Sequence, residues 1–350
     1  MCWHAPSFLR EYQMRVEVSP LMTAKKFEGE RRGTSVRRSD MRSVYGGEDV
    51  EAVLPSGELL FRLVPSSLSA DSRKRLVDSF ARAALLGDSN RKSVVRDDAR
   101  VPRGSLLAGA FDGRDMAANA DLRKRAKRSV PMRPAWVCRT TPFSVKNPKK
   151  WANAKPAVAE IAGLHARADP AGWSAQTSFV GRVLEEYRIG DGYTTLTANY
   201  NSNTAIHNDA GNFAECTTAL AVVGRDFRGG ELVFPRFGVA VRLAPGDVLF
   251  FSGKEWHGNA PITVSGSGFR LSVLLYARRG LEKCTRIIDP RNNLGVAWTP
   301  TSHDTRFLQF LRALAAYEAR TGRIPPVGAR EGSLMIGEWV RARRREWSAG

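Results

Sequence analysis

Hydrophobic and polar positions change their period near the middle of the chain. In the first half, apolar residues recur at helical spacing over 74–86 and again over 155–167, and each segment predicts an amphipathic helix. In the second half, short runs alternate between apolar and polar residues, with glycine-rich turns between them. These runs predict strands over 178–188, 194–200, 218–223, 231–234, 239–243, 248–251 and 270–276.

Seven or eight short strands with glycine turns and no helices between them are typical of a double-stranded β-helix, or jelly roll. We therefore predict a mainly β fold class, with a jelly-roll core and flanking α-helices. The predicted domains are a basic, partly disordered N-terminal region over 1–128, the jelly-roll domain over 129–285, and a basic helical segment over 300–350. The first ~50 residues, rich in Arg, Ser and Gly, are predicted to be mostly disordered.

Composition narrows the class of protein. The chain has 350 residues, of which 43% are hydrophobic, enough to build a sizeable core. No run approaches ~18 apolar residues and the N-terminus has no basic start followed by an apolar stretch, so we expect neither membrane span nor secretion. The four cysteines are widely spaced and form no Cys-x-x-Cys pair. This spacing predicts reduced thiols in a cytosolic or nuclear compartment.

The positive charge lies outside the predicted jelly roll. The chain carries a net charge of +19, whereas residues 178–280 hold ten Lys/Arg and nine Asp/Glu, a net of +1, which leaves +18 for the flanks. A polyanion partner explains this distribution, and a generally arginine-rich composition is the alternative. The basic run 122–128 is typical of nuclear localisation or phosphate contact, although a solvated helix face would look the same.

Two histidines and one aspartate form the most specific motif. His207 and Asp209 stand at i and i+2, which places them on one face of an extended segment, and His257 follows the apolar run 248–251. Two histidines and one carboxylate are the ligand set of Fe(II) oxygenases. We predict that His207, Asp209 and His257 bind iron and are catalytic, with a coincidental or decayed site as the alternative.

A basic residue and a hydroxyl follow on a predicted strand. Arg270 lies 13 residues after His257, and alternation puts Arg270, Ser272, Leu274 and Tyr276 on one face of the strand. A guanidinium binds a carboxylate through two parallel hydrogen bonds, and a serine hydroxyl can add a third. Arg270 and Ser272 are therefore predicted to bind the distal carboxylate of 2-oxoglutarate.

Over roughly 80 residues, these motifs resemble the TET/JBP family of Fe(II)- and 2-oxoglutarate-dependent DNA dioxygenases, of the short algal and fungal type without a cysteine-rich region before the core. The matching residues are Asn199-Tyr200, His207-x-Asp209, Val223-Gly224-x-x-Phe227-x-Gly229-Gly230-Glu231-Leu232, Phe234-Pro235-Arg236, Pro245-Gly246-Asp247-Val248-Leu249-Phe250, His257 and Arg270. The resemblance implies oxidation of the 5-methyl group of a pyrimidine in nuclear DNA, with 5-methylcytosine first and thymine next. It also implies Fe(II), 2-oxoglutarate and O2, with ascorbate as a reductant or an alternative co-substrate.

A methyl group inside a duplex cannot reach a buried metal, so its base must flip out and stack on a protein surface. The candidates for contact with the substrate are Asn199, Tyr200, Phe213 and Trp256. The aromatic residues are more often core residues than base platforms, and Asn199 could equally cap a loop.

The C-terminal segment 306–347 resembles the helicase-associated domain, a small helical module of nucleic-acid-binding proteins. The matching residues are Phe307, Leu311, Leu314, Tyr317, Gly322, Ile324-Pro325, Leu334, Gly337, Trp339-Val340 and Arg343. The segment carries nine arginines and four glutamates. The alternative is two amphipathic helices that pack on the core with their arginines in water.

Two other functions compete with DNA oxidation. A protein or peptide hydroxylase of the same fold would use its basic flanks to bind acidic protein. A catalytically inactive nucleic-acid-binding protein would keep the fold without turnover. Arg270 and the basic tail favour the DNA enzyme, and the oligomeric state stays open.

Overall fold

The computed structural model describes residues 14–87, 94–95, 102–114, 136–284, 288–289, 294–297 and 302–348. The chain forms two compact units, 1–297 and 298–350. Within the described residues, none of the helices combines the length and the apolar character needed to cross a bilayer. The predicted boundaries near 128 and 285 and the basic run 122–128 lie outside the described residues.

The strands belong to the first unit. In chain order they are β1 (Met14–Glu17), β2 (Ser43–Tyr45), β3 (Val50–Val53), β4 (Leu59–Val64), β5 (Val94–Val95), β6 (Gly104–Arg114), β7 (Trp136–Thr140), β8 (Thr195–Tyr200), β9 (Asn203–Thr204), β10 (Thr218–Gly229), β11 (Leu232–Phe234), β12 (Val239–Val241), β13 (Val248–Phe251), β14 (Gly258–Asn259), β15 (Ile262–Tyr276), β16 (Ile288–Asp289) and β17 (Leu294–Ala297).

The helices flank the sheets or form the second unit. They are α1 (Ala24–Arg31), α2 (Ala70–Leu85), α3 (Pro142–Lys146), α4 (Pro148–Ala168), α5 (Pro170–Val180), α6 (Ser302–Thr321) and α7 (Ile336–Ser348). The two predicted amphipathic helices are confirmed as α2 and as the C-terminal part of α4. Ser69 begins α2 by accepting a hydrogen bond from the backbone N–H of Ser72.

Two sheets face each other, as the predicted jelly roll requires. The larger sheet runs β1-β3-β4-β13-β10-β15-β8-β6-β7-β17-β16, and the smaller runs β14-β11-β12-β2. A buried cluster between them includes Leu220 and Phe251 from the larger sheet and Phe234 and Val241 from the smaller. The mainly β class with flanking helices is confirmed.

Alternation along β15 separates two environments. Leu271, Val273 and Leu275 pack in the cluster that α2 and α4 share with the outer face of the larger sheet. The intervening residues, among them Arg270 and Ser272, point to the space between the sheets, where both side chains are buried. The outer face therefore anchors the strand, and the inner face carries its polar groups.

Two predictions about secondary structure are wrong. Residues 14–53 are ordered, because β1 and β3 pair at the edge of the larger sheet and β2 pairs in parallel with β12. Residues 178–188 do not form a strand. Phe179, Val183 and Tyr187 are spaced by four and pack in one cluster, at the end of α5 and in the turns after it.

The cysteines also differ from the prediction of reduced thiols. Cys138 in β7 and Cys284 form a disulfide, and Cys216 is a buried free thiol. The two bonded cysteines are 146 positions apart. Their pairing depends on the approach of β7 to the segment after β15, which spacing along the chain does not show.

The second unit contains α6 and α7, the two helices predicted for the C-terminal segment. Phe310 of α6 stacks on Trp339 of α7 with ring centroids 5.4 Å apart, and Ile336 is buried. Arg320 pairs with Glu331 in the connection. The likeness to a helicase-associated domain stays a prediction.

Candidate active site

Backbone pairing brings the two motif histidines together. The N–H of His207 donates to the carbonyl of His257 at 2.9 Å, and the N–H of His257 donates back to His207 at 2.8 Å. This isolated antiparallel bridge places the imidazoles side by side, with ring centroids 4.5 Å apart. Two segments 50 positions apart in the chain therefore present one pair of rings.

Each imidazole is oriented through its Nδ1 atom. Nδ1 of His207 lies 2.8 Å from the carbonyl oxygen of Ala205, and Nδ1 of His257 lies 2.8 Å from that of Glu255. A carbonyl oxygen can only accept, so each Nδ1 carries the proton and each Nε2 keeps a lone pair. This is how proteins orient histidines for a metal.

Asp209 completes the cluster. Its Oδ1 lies 3.7 Å from Nε2 of His207, and its Oδ2 lies 3.9 Å from Nε2 of His257, so both gaps exceed hydrogen-bond distance. The three potential ligand atoms lie within 4.8 Å of one another. Burial and the neighbouring His207 lower the pKa of His257 to about 4. A neutral ring with a free Nε2 fits a divalent metal.

The cluster faces a cleft between the two sheets. Ser272 and Tyr276 of β15, Asn199 of β8 and Asn259 of β14 line it together with the cluster. The Thr204 hydroxyl donates to Oδ1 of Asn259 at 2.7 Å, which orients that amide at the wall. Apolar side chains from strands of both sheets, Leu220, Leu232, Phe251 and Leu274, complete the lining.

Arg270 is a buried cation that forms no salt bridge within the described part of the chain, although the charge of Glu231 acts on it from beyond ion-pair distance. Its side chain is 1% exposed, and its Nε and Nη2 atoms have no hydrogen-bond partner in the described part of the chain. Burial lowers the pKa of its guanidinium to about 10, which still leaves it charged at neutral pH. Leaving such donors unpaired is unfavourable, so the site fits a bound carboxylate. The residues present therefore fit 2-oxoglutarate.

Local backbone geometry makes room for Arg270. Gly230 has a positive φ of 74°, and a Cβ added there would lie 2.9 Å from Nε of Arg270. Asn201, also with positive φ, accepts the backbone N–H of Arg270 on its side-chain oxygen at 2.7 Å. The role of Asn201 was absent from our prediction. An asparagine directly after a predicted strand was its one signal in the sequence.

The four candidate substrate residues lie in different places. Asn199 lines the cleft and is the register partner of Ser272. Tyr200 points the other way and stacks on Phe269 in the outer cluster. Trp256 is buried with Phe27 of α1, which leaves its ring no free face for a base.

Phe213, the fourth candidate, lies beside Asp209. It is half-buried and stacks on Phe179 with ring centroids 4.6 Å apart. It lines a small recess next to Asp209, whose rim carries the exposed side chains of Lys254 and Arg279. The recess therefore combines an aromatic ring with two cations.

A second cluster of potential ligands lies elsewhere in the first unit. His165, Asp169 and Cys216 bring their ligand atoms within 4.8 Å of one another. Both nitrogens of His165 already have partners, the hydroxyls of Tyr193 and Thr217, each at 2.8 Å. Burial lowers the pKa of His165 to about 4, and burial together with Asp169 raises the pKa of the Cys216 thiol. This cluster is a satisfied polar network.

Comparison with known proteins agrees with the cluster around Asp209. Residues 130–279 match the Tet_JBP family, described as the oxygenase domain of the 2OGFeDO superfamily. Thymine dioxygenase JBP1 of Crithidia fasciculata is 31% identical over 218 residues, which are 61% of this chain and 24% of that protein. Thymine dioxygenase JBP1 of Trypanosoma brucei brucei is 31% identical over 241 residues, 68% of this chain and 27% of that protein. The chain thus spans about a quarter of the length of these relatives.

Among solved structures, NgTET1 in complex with 5mC DNA is 15% identical, with a TM-score of 0.44, over 69% of this chain and 83% of that one. The superfamily matched by sequence uses Fe(II), 2-oxoglutarate and O2. Residues 130–279 of this chain belong to the Tet_JBP oxygenase domains of the 2OGFeDO superfamily.

Proposed function

We propose that the chain is an Fe(II)- and 2-oxoglutarate-dependent dioxygenase that oxidises the 5-methyl group of a pyrimidine in DNA. The observation that carries this proposal is the combination of a His-Asp-His cluster with a buried, unpaired guanidinium, both facing the space between the sheets. The His-Asp-His cluster is a ligand set for iron, and the guanidinium can bind a carboxylate of a dicarboxylate co-substrate. The competing hydroxylase of proteins or peptides would share both features.

His207, Asp209 and His257 would hold the iron. Their role is to supply two neutral imidazole nitrogens and one carboxylate, with geometry set by the Nδ1 hydrogen bonds before the metal arrives. Three protein ligands leave positions open for the co-substrate and O2. When bound, ferrous iron would work together with O2 and 2-oxoglutarate to supply the oxidising power that is needed to break a C–H bond.

Arg270 and Ser272 would orient the co-substrate. The guanidinium binds the distal carboxylate and the serine hydroxyl donates to it, which aims the 2-oxo acid along the cleft towards the cluster. Asn199 is the register partner of Ser272, so its side chain would contact 2-oxoglutarate rather than the base. Ascorbate would serve as a reductant, or would occupy the same cleft in place of 2-oxoglutarate.

The recess beside Asp209 supports a nucleotide substrate. A flipped base needs a face to stack on, and its flanking phosphates need cations. Phe213 offers the ring, Arg279 is exposed at the rim, and Lys254 is exposed there while it also pairs with Glu58. Neither Tyr200 nor Trp256 is part of this proposal, because their rings face away or are buried.

Thymine and 5-methylcytosine are the two candidate bases. The relatives are named thymine dioxygenases, which supports thymine, and the family resemblance also covers 5-methylcytosine. The basic flanks support a DNA partner and a nuclear location. The second unit, with its excess of arginine, would add contacts with DNA phosphates.

The test is an anaerobically loaded Fe(II) enzyme with 2-oxoglutarate, ascorbate and O2, incubated with DNA that contains 5-methylcytosine or with unmodified DNA. Mass spectrometry of the nucleosides should find an oxidised pyrimidine, and its mass names thymine or 5-methylcytosine as the source. Omitting 2-oxoglutarate and ascorbate in turn identifies the co-substrate. Asp209→Ala should abolish the product.

Asp78→Ala provides the matched control, because this carboxylate is 49% exposed at its side chain and pairs with Lys74 on the surface of α2. It should leave turnover unchanged. No modified base, together with steady succinate release in the absence of DNA, would contradict the proposal and favour the protein hydroxylase. Iron binding without any turnover would favour the inactive DNA-binding protein.

A further inference from the structure

The loop that carries Asp209, residues 209–213, is held by the segment that follows β15. We call 209–213 the ligand loop. The N–H of Phe213 donates to the carbonyl of Ala277 at 2.9 Å, and the N–H of Arg279 donates to the carbonyl of Gly211 at 3.1 Å. The ligand loop is therefore tied by its backbone to residues 277–279.

Within the ligand loop, Asn212 connects this attachment to the carboxylate. Its side-chain amide donates to Oδ2 of Asp209 at 3.3 Å, and its backbone N–H donates to the carbonyl of Asp209 at 2.9 Å. Asn212 is also the bridge partner of Arg278. Any shift of Arg278 is thus passed to Asn212 and from there to the carboxylate of Asp209.

Arg278 is itself held by the buried carboxylate of Asp112. Its Nε donates to Oδ1 of Asp112 at 2.5 Å, and its Nη2 donates to the carbonyl of Asp112 at 3.2 Å. Asp112 lies in β6 and is 1% exposed. The guanidinium also lies under the ligand loop, since a Cβ added at Gly211 would come within 2.7 Å of Nη1 of Arg278.

The disulfide fastens the same segment at its other end. Cys138 in β7 is the register partner of Asp112 in β6, and its bonded partner Cys284 lies six positions after Arg278. The ion pair and the disulfide therefore join two neighbouring positions of the β6–β7 pair to the two ends of residues 278–284. We call Asp112, Arg278, Cys138 and Cys284 the clamp.

We propose that the clamp positions Asp209 for metal binding. This inference rests on the proposed function only in taking Asp209 as a metal ligand. The members of the clamp line neither the cleft nor the recess, so they are positioning residues that act through Gly211 and Asn212. The charge of Arg278 also acts on Asp209 directly. Partners that orient a ligand from outside the coordination shell typically contribute 10- to 100-fold in metal affinity.

A merely structural clamp would change stability without changing metal affinity. Arg278→Gln removes the paired hydrogen bonds and also a positive charge whose loss alone would strengthen cation binding, so weaker binding reports lost positioning. Arg278→Lys keeps the charge and removes only the fork. The matched control is Arg182→Gln. Arg182 forms an exposed ion pair with Glu282 of the same segment, and its guanidinium lies over the ring of Phe179 rather than under the ligand loop.

The measurement is the dissociation constant of Mn(II) by anaerobic isothermal titration calorimetry, with the melting temperature of each metal-free variant alongside. We expect the constant to rise roughly 10- to 100-fold for Arg278→Gln, less for Arg278→Lys, and not at all for Arg182→Gln. The double variant Cys138→Ser/Cys284→Ser should give a rise between those of the lysine variant and the control. The absorption spectrum of bound Co(II) should also change for Arg278→Gln.

If Arg278→Gln does not fold, Asp112→Asn tests the same link, because it keeps the side-chain shape and weakens the pair. An unchanged dissociation constant in the folded variant, whatever its melting temperature, would overturn the inference. Failure of the proposed function looks different. Wild-type protein that binds Mn(II) but oxidises no DNA contradicts the function alone, whereas wild-type protein that binds no metal contradicts both.

Discussion

Two clusters in the first unit bring three potential metal ligands within 4.8 Å, yet they differ in the state of their histidines. In the first cluster, His207 and His257 direct Nδ1 to backbone carbonyls, and neither Nε2 has a hydrogen bond to a described residue. In the second, both nitrogens of His165 are bonded to hydroxyls. Ligand type and distance alone therefore do not identify a metal site.

The carboxylates differ in the same way. Oδ2 of Asp169 accepts from the N–H and the hydroxyl of Thr217, at 3.1 and 2.9 Å, and its Oδ1 accepts from the N–H of Gly172 at the start of α5. Among the residues that the structure describes, the Asp209 carboxylate accepts one hydrogen bond, from the Asn212 amide, and keeps acceptor capacity facing both imidazoles. A site prepared for a metal is recognised by its unused acceptors.

The largest expected effect comes from removing one histidine of the first cluster. His257→Gln should weaken Mn(II) binding by more than ~100-fold, beyond the range typical of outer partners, because a ligand itself is lost. Titration calorimetry of the purified variant measures this. Retention of wild-type affinity would mean that His257 is not a ligand and that the two clusters do not differ as described.

The matching change in the second cluster should affect stability instead. His165→Leu leaves the buried hydroxyl of Tyr193 without its partner and the hydroxyl of Thr217 with Asp169 alone, which lowers the free energy of unfolding by about 3 kcal/mol. Urea unfolding measures the loss, and Mn(II) affinity of the folded variant should be unchanged. A drop in metal stoichiometry would instead assign a metal to this cluster.

The pH dependence of stability should separate His165 from other groups. Burial lowers the pKa of His165 from 6.5 to about 4, so the folded state keeps the ring neutral while the unfolded state takes up a proton below pH 6.5. The free energy of unfolding that depends on a neutral His165 is fully present above pH 6.5. It falls by roughly 3 kcal/mol in total as the pH decreases from 6.5 to 4. The pKa of His257 is lowered in the same way, so its effect on the free energy of unfolding is present in both the wild type and His165→Leu. The difference between the two stability curves therefore reports His165 alone.

In that comparison the wild-type protein should lose stability between pH 6.5 and 4 more steeply than the variant. Parallel curves for the two proteins would contradict the assignment.

The smallest expected effect concerns Arg270. Arg270→Met replaces a buried, unpaired charge with an apolar chain of similar length, so the ligand-free protein should become more stable by about 1 kcal/mol. The same variant should lose the rise in melting temperature that 2-oxoglutarate gives the wild type. Differential scanning calorimetry with and without 2-oxoglutarate checks both. A less stable ligand-free variant would mean that Arg270 has partners in the protein.

Features encoded by local pattern could be predicted from the sequence. The alternation from Phe269 to Tyr276 predicts which side chains of β15 face the cleft, and the spacing of His207 and Asp209 predicts two of the three residues of the His-Asp-His cluster. Helical spacing likewise predicts α2. In each case the residues that matter are within a few positions of one another.

Features that depend on distant pairing could not be predicted. Arg278 and Asp112 are 166 positions apart, and the cysteines of the disulfide 146, so no local period marks either pair. The strands of residues 14–53 are short and gain their stability from pairing with the edges of both sheets. Trp256 looked available as an aromatic near His257, but α1 buries it.

Anomalous X-ray scattering from crystals of the protein soaked anaerobically with Mn(II) tests the central claim most directly. The account predicts one strong anomalous peak, bounded by Nε2 of His207, Nε2 of His257 and the carboxylate of Asp209, and none at the second cluster. A peak between His165, Asp169 and Cys216, or no peak beside Asp209, would contradict it.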